Sequence, residues 1–164
     1  MTGIGGGLVR ARPSSRKSPY AGTTPLSYDI RPYSGPMFAS EKTVIFTAGS
    51  LRLEGLLHLA SGPDAVVITH PHPLYGGEMD NPVVSTLAGV YQRLGYTTLR
   101  FNFRGVGASE GRYDDGRGEQ DDVRGAAAYL TGLGRTPTDL AGYSFGAWIN
   151  LRFDPPITAV RRQL

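Results

Sequence analysis

Cysteine is missing from the sequence altogether. That excludes disulfides, thiolate metal ligands and a cysteine nucleophile, and it leaves a reducing cytoplasm as the default expectation. Long apolar runs are missing too: no stretch approaches the roughly 18 consecutive apolar residues of a membrane span, so no membrane partner is expected. Histidine is scarce, with His58, His70 and His72 all in the first half of the chain. Acids are scarce only at the start, where residues 1–36 hold Arg10, Arg12, Arg16, Lys17 and Arg31 against Asp29 alone. The formal net charge of +3 therefore sits in that segment, and the remaining 12 basic and 13 acidic residues nearly cancel. A basic groove interleaved with aromatics is not visible, which argues against a nucleic-acid partner.

At 164 residues the chain has room for one domain with a real core. Residues 1–36, with Gly5-Gly6-Gly7, Pro13, Pro19, Pro25, Pro32 and Pro36, show no sustained period and read as a disordered or loosely ordered basic extension. From Lys42 the pattern changes. Thr43-Val44-Ile45-Phe46-Thr47 and Leu51-Arg52-Leu53-Glu54-Gly55-Leu56-Leu57-His58-Leu59 flank a Gly49-Ser50 turn and predict a hairpin. His58, a lone strand histidine, is assigned no chemistry. Ala65-Val66-Val67-Ile68 is a continuous apolar run, which suits a central strand buried on both faces.

That strand runs into His70-Pro71-His72-Pro73-Leu74-Tyr75-Gly76-Gly77, too rich in proline and glycine for strand or helix. Asn81-Pro82 then starts a helix whose core face is read as Val83, Leu87, Val90, Tyr91 and Leu94, with Gly95 as terminator. A strand follows at residues 96–103, then a glycine loop through Gly105, Gly107 and Gly111. A second helix is read from about Glu119 to Leu133, with Glu119, Asp121 and Asp122 complementing its dipole. Asp121 and Asp122 point in different directions on a helix and no histidine supports them, so no metal site is read there, and no cofactor is called for. Thr136-Pro137 is read as a turn into a last strand from Thr138 to Gly142. Strand, helix and strand in alternation predict an α/β fold with a mostly parallel sheet flanked by helices.

The last strand opens into Gly142-Tyr143-Ser144-Phe145-Gly146 and then the helix-prone Ala147-Trp148-Ile149-Asn150-Leu151. A serine at the apex of so sharp a turn is held in a strained backbone conformation, with glycines allowing strand and helix to approach closely. Together with His70-Pro71-His72-Pro73-Leu74-Tyr75-Gly76-Gly77 and Asn102-Phe103-Arg104-Gly105-Val106-Gly107-Ala108-Ser109, this stretch resembles the N-terminal half of an α/β-hydrolase over about residues 42–152. The nearest likeness is to small predicted hydrolases related to dienelactone hydrolases and serine aminopeptidases. The resemblance implies a hydrolase domain half at residues 37–152 and an irregular tail at 153–164. It implies a small-molecule substrate with an ester, thioester or amide bond and an acyl-enzyme on Ser144. It also implies an oxyanion site formed by the backbone N–H of Phe145 and a second N–H from the loop after the third strand. Pro71 and Pro73 lack an N–H, which leaves His72 first and Leu74 second. By the same resemblance His70 shapes that loop and the glycines of the 104–107 turn are conformational.

In this family an acid and a histidine follow the nucleophile. After Ser144 the sequence offers Asp154, only ten positions on beside Pro155-Pro156, and no histidine. The expectation is a C-terminally incomplete, truncated hydrolase, impaired alone, with one short strand at 157–160. Without further strands, the last interior strand becomes an exposed edge suited to self-association. A sharper alternative has His70 or His72 supply the missing base. Two readings from other classes stand beside the hydrolase: a catalytically inactive domain acting by association, and a nucleotide-binding α/β domain using the Gly105 and Gly107 loop. The second has the wrong spacing, G-x-G-x-x-x-G, with Tyr113-Asp114-Asp115-Gly116 delaying the helix.

Overall fold

The computed structural model describes residues 40–152 and 162–163. The basic extension read at residues 1–36, the strand read at 157–160 and Asp154 lie outside them. The fold opens with the expected hairpin, β1 (Lys42–Ala48) and β2 (Leu51–His58), paired antiparallel from Lys42 opposite Leu57 to Ala48 opposite Leu51. Its alternation is visible in burial: Leu53 and Leu57 go into the core while their neighbours stay half-exposed.

β3 (Asp64–Thr69) is the central strand, buried from Ala65 to Thr69. Its apolar run reflects two cores. Val66 and Ile68 pack on one face with Val84, Ala88 and Tyr91 of α1 (Pro82–Arg93), whereas Ala65 and Val67 join Val123, Ala126 and Leu130 of α2 (Arg117–Gly132) on the other. Each fully buried Val or Ile is worth about 1.5–3 kcal/mol relative to exposure, so β3 anchors both layers. β4 (Thr97–Phe101) and β5 (Thr136–Gly142) flank it, both parallel to it, and β2 pairs antiparallel to the far side of β4. The sheet order is β1-β2-β4-β3-β5-β6. The last member, β6 (Arg162–Gln163), lies parallel to β5 at Asp139 and Leu140. The tail read as irregular thus contributes a two-residue strand, because the outer edge of β5 offers unpaired backbone groups there.

The start of α1 follows the sequence. Asn81 Oδ1 accepts from the N–H of Val83 at 2.9 Å with Pro82 at the first helical position. The α1 core face, however, is turned from the one read in the sequence. Val84, Ala88 and Tyr91 are buried, while Val83 (41%), Val90 (37%) and Leu94 (57%) are exposed. Adjacent valines satisfy the helical period equally well, and the small Ala88 is what lets α1 approach β3. Pro137 is likewise not a turn but part of β5. A register irregularity between Ala65 and Val66, opposite it, absorbs the missing N–H.

The acids of α2 do not act together on its dipole, since the helix begins at Arg117 and only Glu119 lies in its first turn. Glu119 is fully buried and accepts from the N–H groups of Asp114 (2.9 Å) and Gly116 (2.8 Å). Asp121 pairs with Arg124 at the surface, and Asp122 is a buried partner of Arg104. Because β3, β4 and β5 run parallel, the loops leaving their carboxyl ends gather at one end of the sheet, where open α/β sheets place their sites.

Candidate active site

Ser144 sits between β5 and α3 (Phe145–Leu151) with φ 54° and ψ −112°. For a non-glycine residue this is a strained conformation, held because the surroundings over-determine it. Tyr143 donates its N–H to the carbonyl of Thr69 (3.2 Å), Gly146 to that of Tyr143 (3.0 Å), and Trp148 to that of Ser144 (3.0 Å). Both flanking glycines are there for close approach. A Cβ on Gly146 would lie 2.6 Å from the Thr69 carbonyl oxygen and 2.7 Å from that of His70, and one on Gly142 would lie 2.6 Å from the backbone nitrogen of Ala147. β3 is therefore pressed against the elbow, and Ser144 projects exposed above it.

The loop after β3 is built on His70. This ring is fully buried, with Nδ1 2.6 Å from the carbonyl oxygen of Pro71 and Nε2 accepting from the N–H of Phe103 at 3.1 Å. The two contacts fix the neutral Nδ1–H tautomer. Burial lowers the imidazole pKa from 6.5 to about 4, against an opposing pull from the Pro71 carbonyl. His70 thus ties the loop after β3 to the loop after β4. Gly77 closes the turn, since a Cβ there would strike the Pro71 carbonyl and come within 2.8 Å of the His72 carbonyl oxygen.

His72 caps the short 3-10 turn at Pro73–Tyr75: its Nδ1 accepts from the N–H of Leu74 at 3.2 Å. That bond removes Leu74 as the second-choice oxyanion donor. The other ring nitrogen, Nε2, meets the hydroxyl of Tyr113 at 3.2 Å, and the ring packs 4.7 Å from that of Phe145. The loop after β3 and the turn at Ser144 are thereby in direct contact. The N–H of Phe145, first in α3, has no intrahelical acceptor, and that of His72 donates in no hydrogen bond among the described residues.

None of the three histidines presents a free ring nitrogen to Ser144. Those of His70 and His72 are spent as described. His58 pairs with Thr98 near the start of β4, at the opposite end of the sheet, with Nδ1 3.4 Å from the Ser40 carbonyl oxygen. The substitute-base idea for His70 or His72 is set aside on these contacts.

The glycine loop after β4 packs near the elbow, with the Phe103 ring 4.7 Å from His70 and 5.8 Å from Phe145. Its amides serve the protein. Arg104 donates to Asp122, Gly105 to Glu110, Val106 to Phe103, Ala108 to Glu54 and Ser109 to Val106. A phosphate cradle needs such groups free, and here they are consumed. Two arginines to which the sequence reading assigns no role hold these loops. Arg100 binds Glu41, Asp80 and the carbonyl of Met79, and Arg104 grips Asp122 through Nε and Nη2. Neither pairing has a local sequence signal, because the partners come from distant elements. Among the described residues no group of three His, Cys, Asp or Glu side chains converges on a metal position, and no helix is long and apolar enough to cross a membrane.

Sheet order, the loops gathered at its carboxyl end and the strained serine at a strand-to-helix turn define the fold of the N-terminal part of an α/β-hydrolase domain. The comparisons agree: the described part of the chain matches the α/β-hydrolase superfamily. It is similar to an α/β serine hydrolase homologue from Coxiella burnetii, with 40% identity and a TM-score of 0.62, covering 68% of this chain and 56% of that one. An α/β serine hydrolase without lid from Xanthomonas campestris shows 37% identity and a TM-score of 0.64, over 72% of this chain and 57% of that one. An uncharacterized protein of Rickettsia prowazekii is 40% identical over 113 residues, 66% of this chain and 48% of its own length. No protein-family profile matches the chain. The chain spans about half the length of the relatives it matches.

Proposed function

We infer that this chain carries the nucleophile half of a serine hydrolase for ester, thioester or amide bonds. The observation that carries the reading is Ser144 held at φ 54° on an exposed turn, beside the N–H of Phe145, which donates in no hydrogen bond among the described residues, and next to the His72 loop. Ser144 Oγ attacks the carbonyl carbon as a base takes its proton. The resulting oxyanion is received by the N–H groups of Phe145 and His72. Collapse of the tetrahedral species expels the alcohol, thiol or amine and leaves an acyl-enzyme on Ser144, which water hydrolyses. Alone, the chain is impaired, because its histidines offer Ser144 no base. Residual reactivity from oxyanion donors is characteristic of such sites.

Fluorophosphonate labelling of the purified chain tests this reading, with free imidazole added as a diffusible base. Slow labelling that is accelerated by imidazole and abolished by Ser144→Ala is the expected result. Labelling equal in the chain and in Ser144→Ala, with imidazole present, would overturn it.

A further inference from the structure

The end of the sheet that carries Ser144 is paved with aromatic rings that belong mostly to neither core. They form a continuous series: Tyr75 lies 4.8 Å from His72, His72 lies 4.7 Å from Phe145, and Phe145 lies 5.7 Å from Trp148 at an interplanar angle of 31°. Tyr113 braces the middle, 5.1 Å from His72 and 5.9 Å from Phe145. Phe145 is buried in the main core cluster and Tyr113 packs against it, whereas Tyr75 is 87% exposed and Trp148 41%.

Three features separate this series from ordinary surface aromatics. It is contiguous, and contiguous apolar surface of this kind marks a binding site more often than an isolated ring does. It is held in place, since His72 is fixed by Leu74 and Tyr113, and a Cβ on Gly116 would lie 2.5 Å from the Trp148 ring. It also flanks the nucleophile, because Phe145 follows Ser144 directly and the N–H of Trp148 bonds the Ser144 carbonyl.

We propose that this series is the substrate-side subsite of the Ser144 centre and that it selects compounds with a planar aromatic group beside the scissile carbonyl. The proposal rests on the hydrolase reading for the word substrate; the aromatic preference rests on the rings themselves. A ring entering against Tyr75 meets a series of mutually tilted rings already spaced at 4.7–5.7 Å, the range in which aromatic pairs attract beyond simple area burial. A saturated ring of the same size gains the area term only. The expected discrimination is roughly two- to tenfold in affinity.

Trp148 is the sole tryptophan and reports directly on this surface. The full chain is titrated, following its fluorescence, with 4-phenyl-2-butanone and with 4-cyclohexyl-2-butanone, uncleavable ketone counterparts of benzyl and cyclohexylmethyl acetate. The expected result is saturable binding, roughly two- to tenfold tighter for the phenyl compound. That preference should collapse in Tyr75→Leu, which changes an exposed side chain and leaves the fold intact by circular dichroism. Equal affinities, no saturation, or a preference that survives Tyr75→Leu would overturn the proposal. The ketones need no reactive serine, so failure here and failure of fluorophosphonate labelling are read separately: binding without labelling removes the hydrolase reading and keeps the aromatic subsite.

Discussion

His70 should make the fold acid-labile in a defined window. Its buried ring is neutral in the native state, with a pKa lowered from 6.5 to about 4, while in the unfolded chain it regains an ordinary value. Between those two values the unfolded chain binds a proton that the native chain refuses, so stability falls as pH falls. The contribution is fully present above about pH 6.5, is lost progressively down to about pH 4, and changes no further below that. At about 1.4 kcal/mol per pH unit of displacement the total is about 3 kcal/mol, a large part of the stability of a domain this size. The structural cause is specific. Protonating Nε2 sets a new N–H against the N–H of Phe103, 3.1 Å away, in a site with no water access. Urea unfolding followed by circular dichroism at pH 7, 6, 5 and 4 measures the effect, with His70→Gln as the non-titrating reference; every carboxylate and the other two histidines are common to both. The variant should be about 1–2 kcal/mol less stable at pH 7, through poorer hydrogen bonds, and should overtake the parent by pH 4. A difference between the two that stays constant from pH 7 to 4 would refute the assignment of His70 as a locked neutral imidazole.

Two further outcomes follow from the site's construction. Ser144→Gly relieves a backbone strain of about 1–3 kcal/mol and should raise stability by about 1 kcal/mol net, seen as a melting temperature several degrees higher; a lower one would show that the φ of 54° is not strained. Asp122→Ala leaves the largely buried Arg104 guanidinium without its partner and should cost about 3–5 kcal/mol, while the double change Arg104→Met with Asp122→Leu should cost much less. Equal costs in urea unfolding for the single and double variants would exclude the unpaired charge as the cause.

What was legible in the sequence is what neighbouring residues decide among themselves. The hairpin, the doubly buried β3, the Asn81-Pro82 helix start and the strand-turn-helix around Ser144 all rest on local periodicity, capping or close approach. The α1 face was not decided locally, because Val83 and Val84, or Leu87 and Ala88, fit one period. The choice falls to the residue small enough to meet Val66 and Ile68. Likewise Asp122 reads as a dipole charge on its own helix, and its partner Arg104, 18 residues earlier, comes from the loop after β4. The Tyr113 contact that fixes His72 spans 41 residues and has no signal in spacing at all.

The distribution of free and consumed amides at the carboxyl end of the sheet bears on what the site is for. Along residues 104–109 nearly every backbone N–H is spent on a carboxylate or carbonyl of the protein, and Leu74 is spent on the His72 ring. A loop meant to hold a resident phosphate would do the reverse, since several converging donors must stay open for a permanent charge. Amides at His72 and Phe145 that donate in no hydrogen bond among the described residues, on two loops joined by a ring contact of 4.7 Å, suit instead the single transient oxyanion of the proposed acyl transfer. The glycines of the two loops make the same division. Gly107 has no room for a Cβ because Asn102 and Glu54 fill the space, and Gly146 has none because β3 does. One set of glycines therefore serves packing of the scaffold, and the other brings a strained serine over the end of the central strand.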